Sequence, residues 1–587
     1  MQPSQEIVKS SSLRFGVMCS GAVFQRWQAD ALLELMAKGH RPVLLITDPR
    51  RPPRGSRIKS LLKRDWRVFL FTFLENRLFK PAARKPADLS SEMPGIQRLE
   101  CRVRLQGFSE YFEEQDIDII RNYKLDFILR FGFNIIRGDI LTAARCGVWS
   151  FHHGDEVKYR GGPAGFWEIF NGDPVNGAIL QQLTGKLDGG IILKKGYLKT
   201  IGHSYKGNLE QLLSVSSSWP AMVADMIAAK TATPFLKSET SAPVYKLPGN
   251  GNMVLFLLKL FRNKVAFHYA GLFRSEDWNI GIVDHPLPDI ALGNVILKSG
   301  DIRWFRGIPK GTYLADPSGF TNRDNLHILA ENFSYAGGKA IISEFVISGG
   351  NEIAAPPNAG ESNLFQPGLP IHSSPTCAID NGFHLSYPFV VEHDGEVYCV
   401  PESYQSGIIA LYRRDRATGS FPVDSVLLGN VQAVDPTLFF HEGLWWLSFT
   451  MKEHSNSHLC LYYATDIKGP YQPHACNPVK IDVRSARPAG TPFMHKGMLY
   501  RPAQDCSETY GGRTVINKIV VLTAGQFLEE QVNVVEPVPD TAWNKGLHTL
   551  SAVGTFTVLD GKRYRFNRHF FISQLRSKLI TRRPQDV

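Results

Sequence analysis

Cysteine is scarce in this chain: eight residues in 587, Cys19, Cys101, Cys146, Cys377, Cys399, Cys460, Cys476 and Cys506, with no CxxC pair among them. Structural zinc sites and disulfide frameworks are built on closely spaced cysteines, so neither organises this fold and no metal is expected. The cysteines sit mostly among apolar neighbours, as in VYCVP and LCLYY, which suits buried reduced thiols. Long hydrophobic runs are missing too. None reaches the roughly 18 residues that span a bilayer, and the longest candidate, MVLFLLKLF at 253–261, is interrupted by Lys259. The opening MQPSQEIVKSSSLRFGVMCSG lacks the apolar core of a signal peptide. A cytoplasmic protein is the expectation.

Acidic residues are outnumbered, 55 against 66 basic ones, which leaves a formal charge of +11. The excess concentrates in residues 50–84 and in the tail from 574. Neither stretch interleaves Lys and Arg with aromatics as a nucleic-acid module does, so no nucleic-acid partner is expected, and membrane contact is at most peripheral. A chain of this length exceeds one compact core and predicts several domains.

Residues 1–232 alternate short apolar strands with amphipathic helices. RFGVMCS, RPVLLITD, DFILRFGF and VWSFHH read as strands, and FQRWQADALLELMAKG and FSEYFEEQDIDIIRNYKLD as helices. That order predicts an α/β domain with a doubly wound, mainly parallel sheet, whose ligand sits at the carboxyl ends of the strands. Residues 233–275 read as a linker followed by an apolar-basic helix, which would pack between domains or lie on a membrane surface. From 276 to 575 the texture becomes all-β: HDGEVYCVPES, HEGLWWLSFT, HKGMLYRPAQD and LDGKRYRF each place a Gly turn before an aromatic-rich strand. Recurrence at roughly 45–60 residues predicts a five-bladed β-propeller.

The stretch GVWSFHHGDEVKYRGGPAGFWE (147–168) concentrates chemistry. Neighbours on a strand face opposite ways, so His152 and His153 cannot share one metal ion. His153 reads as a loop or core histidine, and RGGP is not a phosphate loop, since no GKS or GKT follows. The stretch, with GAILQQLTGKLDGGIIL (177–193), resembles the paired signatures of the formyl-tetrahydrofolate-dependent formyltransferases over about residues 14–200. The resemblance implies His152 as catalytic histidine and Asp188 as the aspartate that orients it. It places Ser150 where the family has an asparagine that donates to the oxyanion, and Arg130, Phe131, Gly132, Phe133 and Asn134 along the folate. Asp155 and Glu156 would add charge where the acceptor enters, with Arg160 and Gly161 shaping that loop. The implied reaction is formyl transfer from formyl-tetrahydrofolate to an amine, an amino sugar or nucleotide-linked amino sugar of surface polysaccharide synthesis. The alternative is a formyltransferase fold without transfer, with a glycan bound or processed by the propeller.

The second half repeats polar positions in YLADPSG, LSYPFV, VPES, VDPT, SARPAG, YRPAQD and GLHTLS. The Asp-Pro steps resemble those of five-bladed glycosidase propellers. SYPFV, DGE, PES and RPAQD resemble the domain that precedes the transferase domain in plant glucosamine inositolphosphorylceramide transferases. Asp316, Glu402 and Asp435 are the carboxylates that hydrolysis would need. Arg487, Arg501, Gln504 and Asp505 are the candidate contacts to a glycan or nucleotide sugar. His548 reads as a channel-lining or core histidine.

Overall fold

The computed structural model describes residues 12–49, 66–186, 189–231, 235–238, 240–323, 325–347, 375–568, 570–572 and 574–575. Asp188, residues 50–65 of the first basic stretch and residues 576–587 of the second lie outside them. The chain divides into two units, residues 1–265 and 266–587.

The N-terminal unit is built on an eight-stranded sheet. Its strands are β1 (Arg14–Cys19), β2 (Arg41–Thr47), β3 (Gln97–Glu100), β4 (Phe127–Arg130), β5 (Val148–His152), β6 (Val175–Gln182), β7 (Ile191–Lys199) and β8 (Leu236–Lys237), in spatial order β8-β7-β6-β5-β4-β1-β2-β3. The five strands from β5 to β3 run parallel, and β6, β7 and β8 continue the sheet antiparallel. Alternation along the strands supplies both faces. On one, Met18, Ile46, Ile128 and Val148 pack against Ile117 and Ile120 of α2 (Glu114–Asn122). On the other, the rings of Phe15, Phe127 and Trp149 stack at 5.2 and 3.9 Å. There α1 (Arg26–Ala37) brings Trp27 against Leu209 and Leu213 of α4 (Tyr205–Ser217), which follows α3 (Phe166–Asn171).

Two segments differ from their sequence reading. FSEYF is a strand, Ser109–Phe112, so the helix predicted there starts only at Glu114. The segment read as a linker belongs to the N-terminal unit. Leu236–Lys237 extends the main sheet, Val244–Tyr245 pairs with Arg160–Gly161, and Met253 and Phe256 of the helix Asn250–Phe273 are buried against Phe71, Phe79 and Phe166.

Among the described residues the C-terminal unit contains five antiparallel sheets in chain order. The first joins Ser275–Val283 and Ile302–Trp304 to the chain's last strands, Leu550–Val553 and Phe556–Arg565. The others begin at Thr312–Asn322, Ser386–His393, Ala433–His441 and Phe493–His495. Asp394-Gly395, Glu442-Gly443 and Lys496-Gly497 are two-residue turns with both residues at positive φ, the twist a tight hairpin requires. Asp560-Gly561 is not a turn: it lies inside Phe556–Arg565, and the chain reverses at Gly554-Thr555 instead.

Three sheets repeat one device on their opening strand. Asp316-Pro317, Tyr387-Pro388 and Asp435-Pro436 each sit in a bulge, with φ of 52°, 45° and 51° at the residue before proline. Proline keeps that residue out of the right-handed helical region, and the bulge turns its side chain out of register. Hydrogen bonds link successive sheets: Thr549 Oγ1 to Asp316, Val390 N to Ser318 Oγ, Asp435 N to Glu402, and Gln504 Nε2 to Asp435. The fifth sheet reaches the first through Thr514 Oγ1, which donates to Leu547 O at 3.0 Å, and through the bridge Gly490–Leu550.

Gly490 has φ 108°, and a Cβ there would lie 2.0 Å from the Leu550 carbonyl oxygen. Gly490→Ala is therefore expected to destabilise the C-terminal unit by at least about 2 kcal/mol, roughly 4 °C in its calorimetric melting midpoint, with little change in the N-terminal unit's transition.

Candidate active site

The loop that follows β4 and the end of β5 border a cavity of about 640 Å³ in the N-terminal unit, lined by Arg130, Phe133, Asn134, Ser150, His152 and Gln181 among others. Its position at the carboxyl ends of parallel strands is where such sheets place ligands. Ser150 and His152 share it because they stand two residues apart on β5. His153 faces the other way, against the rings of Trp27 and Phe151, with Nε2 2.9 Å from Ser216 Oγ. Burial, helped by the neighbouring His152 and Arg84, pushes its pKa down to about 3 and keeps the ring neutral.

Arg130 organises the floor of the cavity. Its Nε and Nη2 donate to Ser150 Oγ at 3.2 and 2.9 Å, and Nη1 donates to the carbonyls of Phe133 and Asn134 at 3.1 and 2.6 Å. Burial lowers its pKa, and Glu110 only partly offsets this. Glu110 itself is occupied by Asn134, whose backbone N–H and side-chain amide donate to it at 2.8 and 2.9 Å. Since Arg130 fills the acceptor side of Ser150, the hydroxyl proton remains available to an oxygen in the cavity. His152 Nε2 lies 3.0 Å from the Tyr159 carbonyl, which can only accept. The proton therefore sits on Nε2, and Nδ1 is the basic nitrogen of the neutral ring. Arg137 and Lys186 also line the cavity, and no described carboxylate does.

Several expected residues fall elsewhere. Phe131 packs against Phe24, Trp27 and Phe151, and Gly132 uses its N–H on the Met18 carbonyl, so only Arg130, Phe133 and Asn134 of that run line the cavity. Asp155 and Glu156 do not present charge to an incoming acceptor. Both are buried and paired with Lys195 Nζ at 3.3 and 2.8 Å, because a buried carboxylate needs a cation. Arg160 donates to the Ala242 carbonyl, and Gly161 pairs through its backbone with Tyr245. The sequence reading missed Gln181. It stands directly across from Ser150 on β6, lines the cavity, and has a buried Oε1 without a partner among the described residues. The QQ pair inside an apolar strand was the available signal, since a polar residue on a buried strand face needs a partner.

A second cluster lies in the C-terminal unit, where the bulges bring Asp316 and Asp435 together with Glu331, Glu402, Arg487, Gln504, His548 and Asp560. Arg487 Nε and Nη2 clamp Asp435 at 2.6 and 3.2 Å, and Gln504 Nε2 donates to the same carboxylate at 2.8 Å. His548 lies between Asp316 and Asp560, at 3.2 and 2.6 Å. These three offer donor atoms within 4.8 Å of one another, a spacing that could hold a metal. Burial alone would lower the His548 pKa, but Asp560 and Asp316 outweigh it and hold it above the ordinary value. Glu331 and Glu402 are held well above the usual carboxylate range by burial and by their neighbours Asp316 and Asp435. Arg501 and Asp505 do not join this cluster. Arg501 is buried with Nε and Nη2 on Glu529 at 3.0 and 2.7 Å, and Asp505 pairs with Arg513 at the wall of a separate cavity.

Residues 368–552 match the family model described as glucosamine inositolphosphorylceramide transferase 1, N-terminal. The chain is similar to glucosamine inositolphosphorylceramide transferase 1 of Arabidopsis thaliana, 33% identical over 234 residues, 38% of this chain and 28% of that protein. It is also similar to the one of Oryza sativa subsp. japonica, 34% identical over 201 residues, 32% of this chain and 27% of that protein. The chain thus spans under a third of the length of the curated relatives it matches. Among solved structures it is similar to a phosphoribosylglycinamide formyltransferase from Anaplasma phagocytophilum, with 14% identity over 40% of this chain and 100% of that chain, at a TM-score of 0.27. The catalytic domain of a Coprinopsis cinerea GH62 α-L-arabinofuranosidase gives 14% identity over 50% of this chain and 98% of that chain, at 0.31.

The buried cluster makes a pH prediction. A group whose pKa is raised by folding stabilises the fold fully below its unfolded pKa and loses that contribution as pH rises through the folded one. Glu331, Glu402 and His548 are all raised. Glu529 is lowered: burial opposes the shift, and Arg501 and Lys480 overcome it. Its contribution is complete above its unfolded pKa. The melting temperature of the C-terminal unit should therefore fall between about pH 5 and pH 8, and Glu331→Gln should flatten that slope. A melting temperature that climbs steadily over this range would contradict the assignment.

Proposed function

We propose that the N-terminal unit transfers a formyl group from formyl-tetrahydrofolate to an amine, and that the acceptor is an amino sugar, free or nucleotide-linked, used in surface polysaccharide. The observation that carries this reading is the convergence of Ser150, His152 and the half-buried Arg130 on one cavity at the strand ends, within the paired formyltransferase-like signatures. The cavity fits an anionic folate. It is roomy, it combines Phe133 with the polar Asn134 and Gln181, and its described charges are all positive. Formyl-tetrahydrofolate supplies the one-carbon group when bound.

The residues divide the work. His152 Nδ1 takes the proton that the attacking amine must lose, while Nε2–H on the Tyr159 carbonyl orients the ring, and Asp188, by the family resemblance, stabilises the charge the ring then carries. Ser150 donates to the formyl oxygen as negative charge develops there, with its own oxygen polarised by Arg130. Gln181, opposite Ser150, presents an amide to the same space.

We read the five sheets of the C-terminal unit as blades of a five-bladed propeller that recognises the carbohydrate, supported by the hydrogen bonds from the fifth sheet to the first and by the similarity over residues 368–552. Binding is favoured over hydrolysis because Arg487 and Gln504 already hold Asp435, which leaves it a poor base or nucleophile. A cytoplasmic location agrees with a reduced folate donor.

The test is calorimetry of the full chain with 5-formyl-tetrahydrofolate as a stable analogue, followed by a transfer assay with 10-formyl-tetrahydrofolate as donor and nucleotide-linked amino sugars as acceptors. Micromolar binding is expected. His152→Ala should slow transfer by about 10²–10⁴-fold and Ser150→Ala by roughly 10²-fold, each with folate affinity nearly unchanged. Absence of folate binding at millimolar concentration, or full transfer by His152→Ala, would sink the reading.

A further inference from the structure

The helix Asn250–Phe273 contains Lys259, Arg262 and Lys264 and no acidic residue. One face is spent in the core of the N-terminal unit, where Met253 and Phe256 are buried and Lys259 Nζ donates to the Phe170 carbonyl. The opposite face repeats bulky apolar residues at the helical period: Val254, Leu258, Phe261 and Val265. All four are exposed, Leu258 at 62% and Phe261 at 69%. By the same period Arg262 and Lys264 lie about 80° to either side of this stripe.

A second apolar surface adjoins it. Asn250 Oδ1 accepts from Leu70 N at 3.0 Å and its Nδ2 donates to the Trp66 carbonyl at 2.6 Å, which ties this helix to the helix Phe69–Arg77. There the rings of Trp66, Phe69 and Phe73 follow one another at 5.2 and 5.9 Å, and Trp66 and Leu78 are each 63% exposed. An exposed apolar surface of this kind marks an interaction site.

Its charge pattern selects the occupant. A second copy, paired about a two-fold axis, would set Arg262 and Lys264 against a partner's basic residues, which costs binding energy. A bilayer with anionic headgroups accepts both parts of the pattern: Leu, Phe and Val enter the acyl boundary, Trp66 suits the interface, and the flanking cations meet the headgroups. No helix among the described residues is long and apolar enough to cross a membrane, so this one would lie along the surface.

We propose that this two-helix face seats the protein on an anionic lipid bilayer. The test is co-sedimentation of the full chain with vesicles of phosphatidylcholine alone and of phosphatidylcholine with about 30% phosphatidylserine, at low and physiological salt. Partition to the anionic vesicles should be at least about tenfold stronger and should weaken with salt. Leu258→Glu with Phe261→Glu should reduce it at least about tenfold, and Arg262→Gln with Lys264→Gln should reduce it similarly and remove most of the salt dependence. Melting curves check that the variants fold, and the single substitution Phe261→Gln replaces the double one if it does not. Equal partition to both vesicle types, or to neither, overturns the proposal. So does a self-associating wild type, measured by analytical ultracentrifugation, that Leu258→Glu with Phe261→Glu converts to a monomer.

Discussion

A charge taken out of water must find its counterpart inside the protein, and the two units meet that demand differently. In the C-terminal unit the buried charges are met by opposite ones close by: Asp435 with Arg487, His548 with Asp316 and Asp560, Arg501 with Glu529. Removing one partner of such a pair costs about 3–5 kcal/mol, because the other is left buried and uncompensated. The sheets are thereby held together through polar contacts as well as apolar packing. In the N-terminal unit Lys195 likewise meets Asp155 and Glu156, but the half-buried Arg130 lines the cavity. Arg130 is satisfied by a hydroxyl and two carbonyls, with Glu110 engaged by Asn134.

That difference separates the roles of the two halves. A cavity with surplus positive potential attracts an anionic ligand and polarises an oxygen placed beside Ser150. In the C-terminal cluster Asp435 is already clamped by Arg487 and Gln504, which leaves less of it free to act as base or nucleophile. On the proposed reading the second half contributes recognition and stability where the first contributes chemistry. The outer face of the helix Asn250–Phe273 adds a third element, apolar and basic, whose charges are disposed for a surface of opposite sign.

Much of the fold was legible in the chain. Short apolar strands alternating with amphipathic helices marked the parallel part of the N-terminal sheet, and Asp394-Gly395, Glu442-Gly443 and Lys496-Gly497 marked hairpins, because few other pairs adopt two successive positive φ values. Asp560-Gly561 misled, since the same dipeptide fits inside a strand when the reversal is supplied by Gly554 five residues earlier. Leu236–Lys237 and Val244–Tyr245 escaped notice because strands of two residues have no period to detect.

For the site, the sequence by itself determined which residues could share a face. Ser150 and His152 stand two apart on a strand, so they point together, and His153 must point away. Proline after Asp316, Tyr387 and Asp435 likewise restricted those backbones locally. Only the tertiary structure decided which charges were met. Lys195 neutralises Asp155 and Glu156 from about 40 residues away in the chain, and Arg487 reaches Asp435 from about 50. Electrostatic pairing acts through space over a few ångströms, and no local pattern in a sequence records which distant strand will supply the partner.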